Sequence, residues 1–270
     1  MQLKIGYLFQ CPPWARSFCP FRACGAFIQG RWSLHTKLKL LIIKFKVIIK
    51  FKVKKTMLHI ERFQVNMLQE NCYVVSDETK ECVIIDCGAF YPEERKAITQ
   101  YIKENQLKPV HLLVTHGHLD HNFGNNTIYQ EFGLKPEVSA ADENLMKGLA
   151  KQAETFYQMQ LDYQFPPIGR FFEDEEVIKF GNHEFQVIAT PGHSSGSVTF
   201  YCEAEHVAFT GDTLFHSSIG RTDFPGGSMF RIINSLRHLG QLPDETQVLP
   251  GHGEYTSIGE ELAHNPYMDR

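Results

Sequence analysis

The chain has 270 residues, of which 43% are hydrophobic and 21% are charged. This composition fits a soluble globular protein with one large or two small domains, and it excludes collagen-like and disordered chains. The formal net charge of −4 hides an asymmetry, because twelve of the 27 Lys and Arg residues but none of the 31 Asp and Glu residues precede residue 57. Residues 57–270 therefore carry 15 basic and 31 acidic residues, a net charge of −16.

Residues 1–56 form a basic leader that we do not assign to the folded domain. Seven lysines interrupt its most apolar part, 38–55, at spacings of one to five residues. This stretch is therefore neither a membrane span, which needs about 20 mostly uncharged residues, nor a secretory signal with an uninterrupted apolar region. A mitochondrial-type targeting segment and a membrane-surface segment remain alternatives. We favour a start codon assigned too early, with the working protein beginning at Met57 and one domain over 57–270.

From Leu58 onward, short strands broken by polar turns alternate with helices, the pattern of one α/β domain. Pro92 at a helix start and acidic residues in the first turn support the first helix. The predicted strands are Leu58–Val65, Asn71–Ser76, Cys82–Asp86, Val110–Thr115, Glu184–Thr190, Ser197–Cys202, Val207–Thr210 and Gln247–Leu249. The predicted helices are Pro92–Asn105, Asn125–Phe132, Ala141–Leu161 and Met229–Leu239.

The cysteines predict free thiols rather than a disulfide framework. No C-x-x-C pair occurs, and Cys82 and Cys87 lie in or beside a very apolar run, where a buried thiol packs as a small hydrophobic group. This usage fits a reducing compartment, so we expect a cytoplasmic protein.

Metal-binding residue types follow four of the predicted strands directly. The strand ending at Thr115 is followed by H-G-H-L-D-H, the one ending at Thr190 by P-G-H, the one ending at Thr210 by G-D, and the one ending at Leu249 by P-G-H. Strand ends hold side chains rigidly, and the loops beyond them carry chemistry. The candidate ligands are His116, His118, Asp120, His121, His193, Asp212 and His252.

These residue types indicate a divalent-metal site. One such histidine alone is more often structural, but seven ionisable groups gathered together are costly to bury unless a metal balances them. Imidazole with carboxylate suits zinc, iron or manganese. Seven ligands suffice for two ions about 3.5–4 Å apart that share a solvent molecule.

Four motifs resemble those of the metallo-β-lactamase superfamily over Met57 to the C-terminus: T-H-G-H-L-D-H (115–121), T-P-G-H-S (190–194), T-G-D-T-L-F (210–215) and P-G-H-G (250–253). The resemblance implies an α/β fold, an αβ/βα four-layer sandwich of two mixed sheets flanked by helices. Through L-F-H-S-S-I-G-R-T-D-F-P-G-G (214–227) the chain is most similar to compact type II glyoxalases, which hydrolyse hydroxyacylglutathione. Only 18 residues follow His252, so the C-terminal helical domain of the full-length type II glyoxalases is not expected.

The resemblance also implies roles for individual residues. The first metal would be held by His116, His118 and His193. The second metal would be held by Asp120, His121 and His252, and Asp212 would bridge the two metals. Asp86 would support the ligand loops from behind, and Arg221 would contact the substrate. The expected cofactors are two divalent ions, zinc before iron or manganese.

The expected reaction is hydrolysis of a small-molecule thioester such as S-lactoylglutathione by a hydroxide shared between two metals, with Asp120 orienting the hydroxide as the catalytic residue. A one-iron persulfide dioxygenase, another hydrolase of the superfamily and a non-enzymatic metal-stabilised module remain alternatives. The charge of −16 over 57–270 argues against nucleic acid as a partner, and no membrane partner is expected. The acyl group, the thiol carrier and the oligomeric state stay open.

Overall fold

The computed structural model describes residues 57–173 and 175–269. Predictions for the basic leader 1–56, including its start-site interpretation, lie outside these residues. Within the described part of the chain, no helix is both long and apolar enough to cross a membrane.

Two six-stranded mixed sheets lie at the centre of the fold. In the first, β1 to β3 are antiparallel and β4 to β6 continue parallel to β3. Its strands, in spatial order, are β1 His59–Val65, β2 Glu70–Ser76, β3 Glu81–Ile85, β4 Lys108–Leu113, β5 Pro136–Val138 and β6 Arg170–Phe171.

The second sheet has the order β14-β13-β10-β9-β8-β7, and only its β13–β10 pair is parallel. Its strands are β7 Val177–Phe180, β8 His183–Ala189, β9 Val198–Cys202, β10 Val207–Gly211, β13 Gln247–Pro250 and β14 Thr256–Ser257. A small hairpin, β11 Leu214–Phe215 and β12 Ser218–Ile219, stands beside this sheet.

Helices cover the outer faces of the sheets. Apolar residues of the strands face each other in one central cluster, where Tyr73 of the first sheet packs on Phe209 of the second at a centroid distance of 5.2 Å. The α-helices of the described residues are α1 Pro92–Glu104, α2 Asn125–Phe132, α3 Glu143–Lys147, α4 Leu149–Tyr157, α5 Met229–Leu239 and α6 Ile258–His264. Helices α1 and α2 pack on the first sheet, and α5 and α6 pack on the second. The predicted four-layer αβ/βα sandwich is confirmed.

Helix α1 shows how local sequence produces one of these elements. Pro92 begins the helix with its backbone angle already helical. The carboxylate of Glu94 accepts hydrogen bonds from the backbone N–H groups of Phe90 and Tyr91, which have no partner inside the helix. Ile98 and Ile102 face the sheet and are completely buried, so capping and burial agree with the predicted helix.

The predicted single helix over 141–161 is wrong. The chain forms a 3₁₀ turn at Ala140–Asp142, then α3, then α4, and it leaves the helix at Gln158, which has a left-handed φ of 53°. Gly148 separates α3 from α4, as expected for a residue of low helix propensity. The apolar spacing continues across this break because both short helices bury the same side, which is why periodicity alone indicated one helix.

Short strands and the last helix were not predicted. β5, β6, β7 and the β11–β12 hairpin have two to four residues each, too few for an alternating pattern to stand out. The prediction of free thiols agrees with the structure: the four cysteines of the described residues are unpaired and buried.

Candidate metal centre

Seven side chains that the sequence placed after strand ends converge at one edge of the two sheets. The first sheet supplies His116 and His118 after β4, and the 3₁₀ turn Leu119–His121 supplies Asp120 and His121. The second sheet supplies the other three from three separate loops, His193 after β8, Asp212 after β10 and His252 after β13.

Two triads of ligand atoms share this edge. His116, His118 and His193 form one group, and Asp120, His121 and His252 form another; within each group the ligand atoms lie within 4.8 Å of one another. His118 Nδ1 and His193 Nε2 are 2.8 Å apart, and His252 Nε2 lies 3.3 Å from Asp120 Oδ2.

Asp212 lies between the two triads. Its Oδ1 is 3.3 Å from His121 Nε2, and its Oδ2 is 3.5 Å from His193 Nε2. Its Oδ2 is also 3.8 Å from His252 Nε2. One carboxylate is therefore in reach of nitrogen atoms from both groups, the arrangement that a ligand shared by two cations requires.

Hydrogen bonds on the far side of each ring determine which nitrogen faces the cluster. His193 Nδ1 lies 2.8 Å from the Arg221 carbonyl, and His252 Nδ1 lies 3.1 Å from the Leu68 carbonyl. A carbonyl only accepts, so both Nδ1 atoms donate, and each Nε2 faces the cluster, where it can serve as a metal ligand.

Asp86 orients two further rings in the same way. Its carboxylate accepts from the backbone N–H and the hydroxyl of Thr115, at 2.7 and 2.6 Å, and from His121 Nδ1 at 3.0 Å. The Thr115 hydroxyl donates its hydrogen bond to Asp86 and therefore accepts one from His116 Nδ1 at 3.1 Å. The Nε2 atoms of His116 and His121 consequently face the cluster, where each can bind a metal once it is deprotonated.

Asp142 links the loops behind the cluster, and sequence reasoning missed it. It is completely buried, and its carboxylate accepts from the backbone N–H of Gly117 and Gly196, at 2.9 and 2.7 Å, and from the Ser194 hydroxyl at 2.6 Å. It thereby ties the loop of His118 to the loop of His193. In the sequence, Asp142 looks like an ordinary residue near the start of a helix, so no local pattern predicted that it links the two ligand loops.

The charges of the cluster are mutually dependent. Burial, followed by the charge of His193, lowers the pKa of His118 to about 4. Burial and the adjacent imidazoles also hold the pKa of His116 well below its usual value. Both rings are therefore neutral at pH 7, the form in which imidazole binds a metal.

Asp212 remains ionised in spite of its environment. Burial by itself raises the pKa of its carboxyl, but the neighbouring charges of His252 and His121 outweigh burial, and the pKa lies well below its usual value. The same cluster of carboxylates raises the pKa of His121 although burial opposes this. The Asp212 carboxylate is thus ionised beside the histidine nitrogens that converge on it.

The side chains fit divalent cations. His116 Nε2, His121 Nε2 and Asp212 Oδ1 are buried without a hydrogen-bond partner, which is costly for polar atoms inside a protein. All three are metal-ligand atoms directed at the same cluster, and their chemistry, nitrogen and oxygen without sulfur, suits zinc, iron or manganese.

A cavity of about 330 Å³ lies over the cluster. Ligand residues form its floor, and Leu68, Tyr157, Arg221 and Phe224 are among its walls. The Arg221 guanidinium donates two hydrogen bonds of 2.7 Å to Asp223 and lies 3.9 Å from the centre of the Phe224 ring. The structure thus places Arg221 at the edge of the cavity, with its charge paired.

Comparison with known proteins agrees with this geometry. The profile of the family described as the metallo-beta-lactamase superfamily matches residues 65–252. The chain is 37% identical over 214 residues to a protein of Haemophilus influenzae named hydroxyacylglutathione hydrolase GloC, covering 78% of this chain and 99% of that protein.

Two solved structures are also similar. A crystal structure of a protein named BLEG-1 B3 metallo-beta-lactamase has a TM-score of 0.71 at 31% identity, with 77% of this chain and 99% of that chain covered. A crystal structure of TTHA1623 in a di-iron-bound form has a TM-score of 0.69 at 33% identity, with 77% and 100% covered.

Proposed function

The chain belongs to the metallo-β-lactamase superfamily as a metal-dependent hydrolase, and we propose that it holds two divalent cations and hydrolyses small thioesters of the S-lactoylglutathione type. The observation that carries the two-cation proposal is the position of Asp212. Its two oxygens lie 3.3 Å from His121 Nε2 and 3.5 Å from His193 Nε2, so a single carboxylate is within reach of both groups of ligands.

We assign His116, His118 and His193 to one cation and Asp120, His121 and His252 to the other, with Asp212 shared between them. Zinc is the proposed metal, because nitrogen and carboxylate ligands in compact groups suit it. The similar protein solved in a di-iron-bound form makes iron the principal alternative, since the same donor atoms accept either metal.

Bound divalent cations supply two effects, a lower pKa for water and polarisation of an acyl carbonyl. The protein's own contribution begins with Asp120. Its Oδ2 faces the cavity floor 3.3 Å from His252 Nε2, and we propose that it accepts a hydrogen bond from the attacking water and so aims it at the carbonyl carbon. The Asn66 amide donates to the Asp120 carbonyl at 2.9 Å and holds this residue in place.

A thioester suits the groups that line this cavity. A departing alkyl thiolate needs little protonation, because a thiol has a pKa of about 8.5. Apart from Asp120 and Asp212, none of the residues lining the cavity is a carboxylic acid, and a thioester does not require a dedicated general acid. The named activity of the Haemophilus influenzae relative supports the same substrate class, and we propose that Arg221 contacts the substrate at the rim.

The test combines metal analysis with a panel of substrates. Full-length protein should contain about two equivalents of zinc or iron per chain and should turn over S-lactoylglutathione. Asp120→Asn should retain the fold but lose most of kcat, whereas the exposed Glu154→Gln should behave as wild type.

Two competing activities belong in the same panel. Oxygen uptake on glutathione persulfide with one iron per chain would replace the proposal with a dioxygenase. Hydrolysis of a β-lactam in preference to every thioester would replace it with the activity for which one structural neighbour is named.

A further inference from the structure

A second cavity opens beside the metal pocket. It has a volume of about 240 Å³ and shares four lining residues with the larger cavity: His118, Gln152, Phe156 and Phe224. Its other lining residues include the apolar Leu145 and Pro225, together with Gly148, Thr155 and the positively charged Lys151. We call it the side cavity.

A stacked aromatic pair stands where the two cavities meet. The rings of Phe156, on α4, and Phe224, in the loop before α5, lie 5.1 Å apart between centroids at an interplanar angle of 23°. Phe156 is nevertheless 51% exposed. The stacked pair thus offers an apolar aromatic surface beside the metal pocket, against which part of a ligand can pack.

Lys151 is the available positive charge of the two cavities. It is exposed and forms no ion pair with any described residue. Arg221 is the other Lys or Arg among the lining residues, and Asp223 already neutralises it through two hydrogen bonds. Because residues 57–270 carry a net charge of −16, a substrate carboxylate that extends away from the metal cluster is repelled unless a local cation receives it.

A thioester has two arms, the acyl group and the thiol carrier, which extend in different directions from the reacting carbonyl. His118 lines both cavities. When the carbonyl of a bound thioester lies at the cluster, one arm of the substrate can therefore extend into the metal pocket and the other into the side cavity. We propose that the side cavity is a second substrate subsite, in which one arm packs against Phe156 and Phe224 and places a terminal carboxylate at Lys151.

This inference rests on the proposed thioester hydrolysis and names the feature of the substrate that the site selects. The carboxylate belongs either to the carrier or to the acyl group, and matched substrates distinguish the two. Lactoylglutathione and its carboxyl-methylated ester differ in the carrier alone. The succinyl and acetyl thioesters of N-acetylcysteamine differ in the acyl group, on a neutral carrier.

The test compares Lys151→Gln with the matched control Lys147→Gln in the full-length, zinc-loaded protein. Lys147 is also an exposed lysine, four residues earlier at the end of α3, but it pairs with Glu143 at 2.7 Å and does not line the side cavity. We expect Lys151→Gln to lower kcat/KM about three- to tenfold through KM for the substrate with the charged arm. We expect no such loss for Lys151→Gln with the matched substrate that lacks the carboxylate, or for Lys147→Gln with any of the four substrates.

A loss confined to lactoylglutathione assigns the subsite to the carrier, and a loss confined to the succinyl thioester assigns it to the acyl group. Equal kinetics of both variants with all four substrates overturns the inference. If no thioester is hydrolysed, titration calorimetry with the unreactive thioether S-hexylglutathione separates the two proposals. Weaker binding of S-hexylglutathione by Lys151→Gln than by Lys147→Gln then retains the subsite for the carrier while the reaction fails, and weaker binding of the unhydrolysed succinyl thioester retains it for the acyl group. Equal binding of both compounds by the two variants rejects the subsite as well.

Discussion

His118 Nδ1 and His193 Nε2 lie 2.8 Å apart, although the two residues are 75 positions apart in the chain. One follows a strand of the first sheet and the other a strand of the second, so their contact joins the two halves of the sandwich. The Arg221 carbonyl accepts a hydrogen bond from His193 Nδ1, and His193 Nε2 faces His118. The two rings are thus already placed to bind one cation.

Removing a member of this pair should therefore weaken metal binding. We expect His193→Ala to lose at least the ten- to hundredfold in metal affinity that follows loss of a supporting partner, because it deletes a ligand outright. Competition with a chromophoric chelator measures the affinity. His264→Ala, which changes an exposed histidine far from the cluster, is the control, and equal affinities of the two variants would contradict the assignment.

The Thr115 hydroxyl offers a narrower test of the residues behind the ligands. It donates to Asp86 and accepts from His116 Nδ1, so Thr115→Val keeps the shape of the side chain but removes the link. We expect Thr115→Val to lower metal affinity about ten- to hundredfold. Thr115→Ser keeps the hydroxyl and should stay close to wild type. Similar losses in both variants would mean that the methyl group, and not the hydrogen bonds, matters.

Gly251 is required by the closeness of two ligands. A Cβ at this position would lie 2.5 Å from Asp212 Oδ1 and 2.6 Å from His121 Cε1. We expect Gly251→Ala to displace these side chains and to lower the metal content of the purified protein, measured by elemental analysis. Gly240→Ala is the control, because its added methyl group stays 3.3 Å from its nearest neighbour, the Leu236 carbonyl oxygen, and it should keep full metal content.

Asp77 connects the two sheets at a distance from the metal centre. It follows β2 in the first sheet, and its carboxylate accepts from the Asn182 N–H at 2.6 Å and from His183 Nδ1 at 3.0 Å, in the β7–β8 turn and at the start of β8. Burial by itself raises the pKa of Asp77, but hydrogen bonds from Thr79, Asn182 and His183 outweigh it, and the pKa is lowered.

The sign of this shift gives a pH dependence. A folded-state pKa below the unfolded value means that the unfolded state binds the proton more readily, so Asp77 stabilises the fold above its ordinary pKa of about 4 and loses this contribution as the pH falls further. Asp77→Asn should lower the free energy of unfolding by about 1–3 kcal/mol at pH 7, and the deficit should shrink at pH 3. Urea unfolding at both pH values, with the exposed Asp162→Asn as the control, measures it. A deficit that does not change with pH would contradict the lowered pKa.

The elements that local patterns predicted are those with enough residues to show a period or a cap. Helix α1 has Pro92 at its start and a complete buried face, and the strands before His116, His193, Asp212 and His252 are apolar runs. The helix over 141–161 was wrong, because a glycine break between two helices that bury the same side leaves the spacing intact.

By itself, the sequence determined the chemistry of the centre. Five histidines and two aspartates directly after strand ends specify nitrogen and oxygen donors for divalent metals, because residue type and its place in a loop are local properties. Only the tertiary structure decided how they act together. Four features depend on groups brought together from distant parts of the chain. They are the position of Asp212 between the two triads, the ring orientations set by Asp86 and the Arg221 carbonyl, the link through Asp142, and the side cavity with Lys151. Short-range periodicity does not record such contacts, since packing of the two sheets creates them.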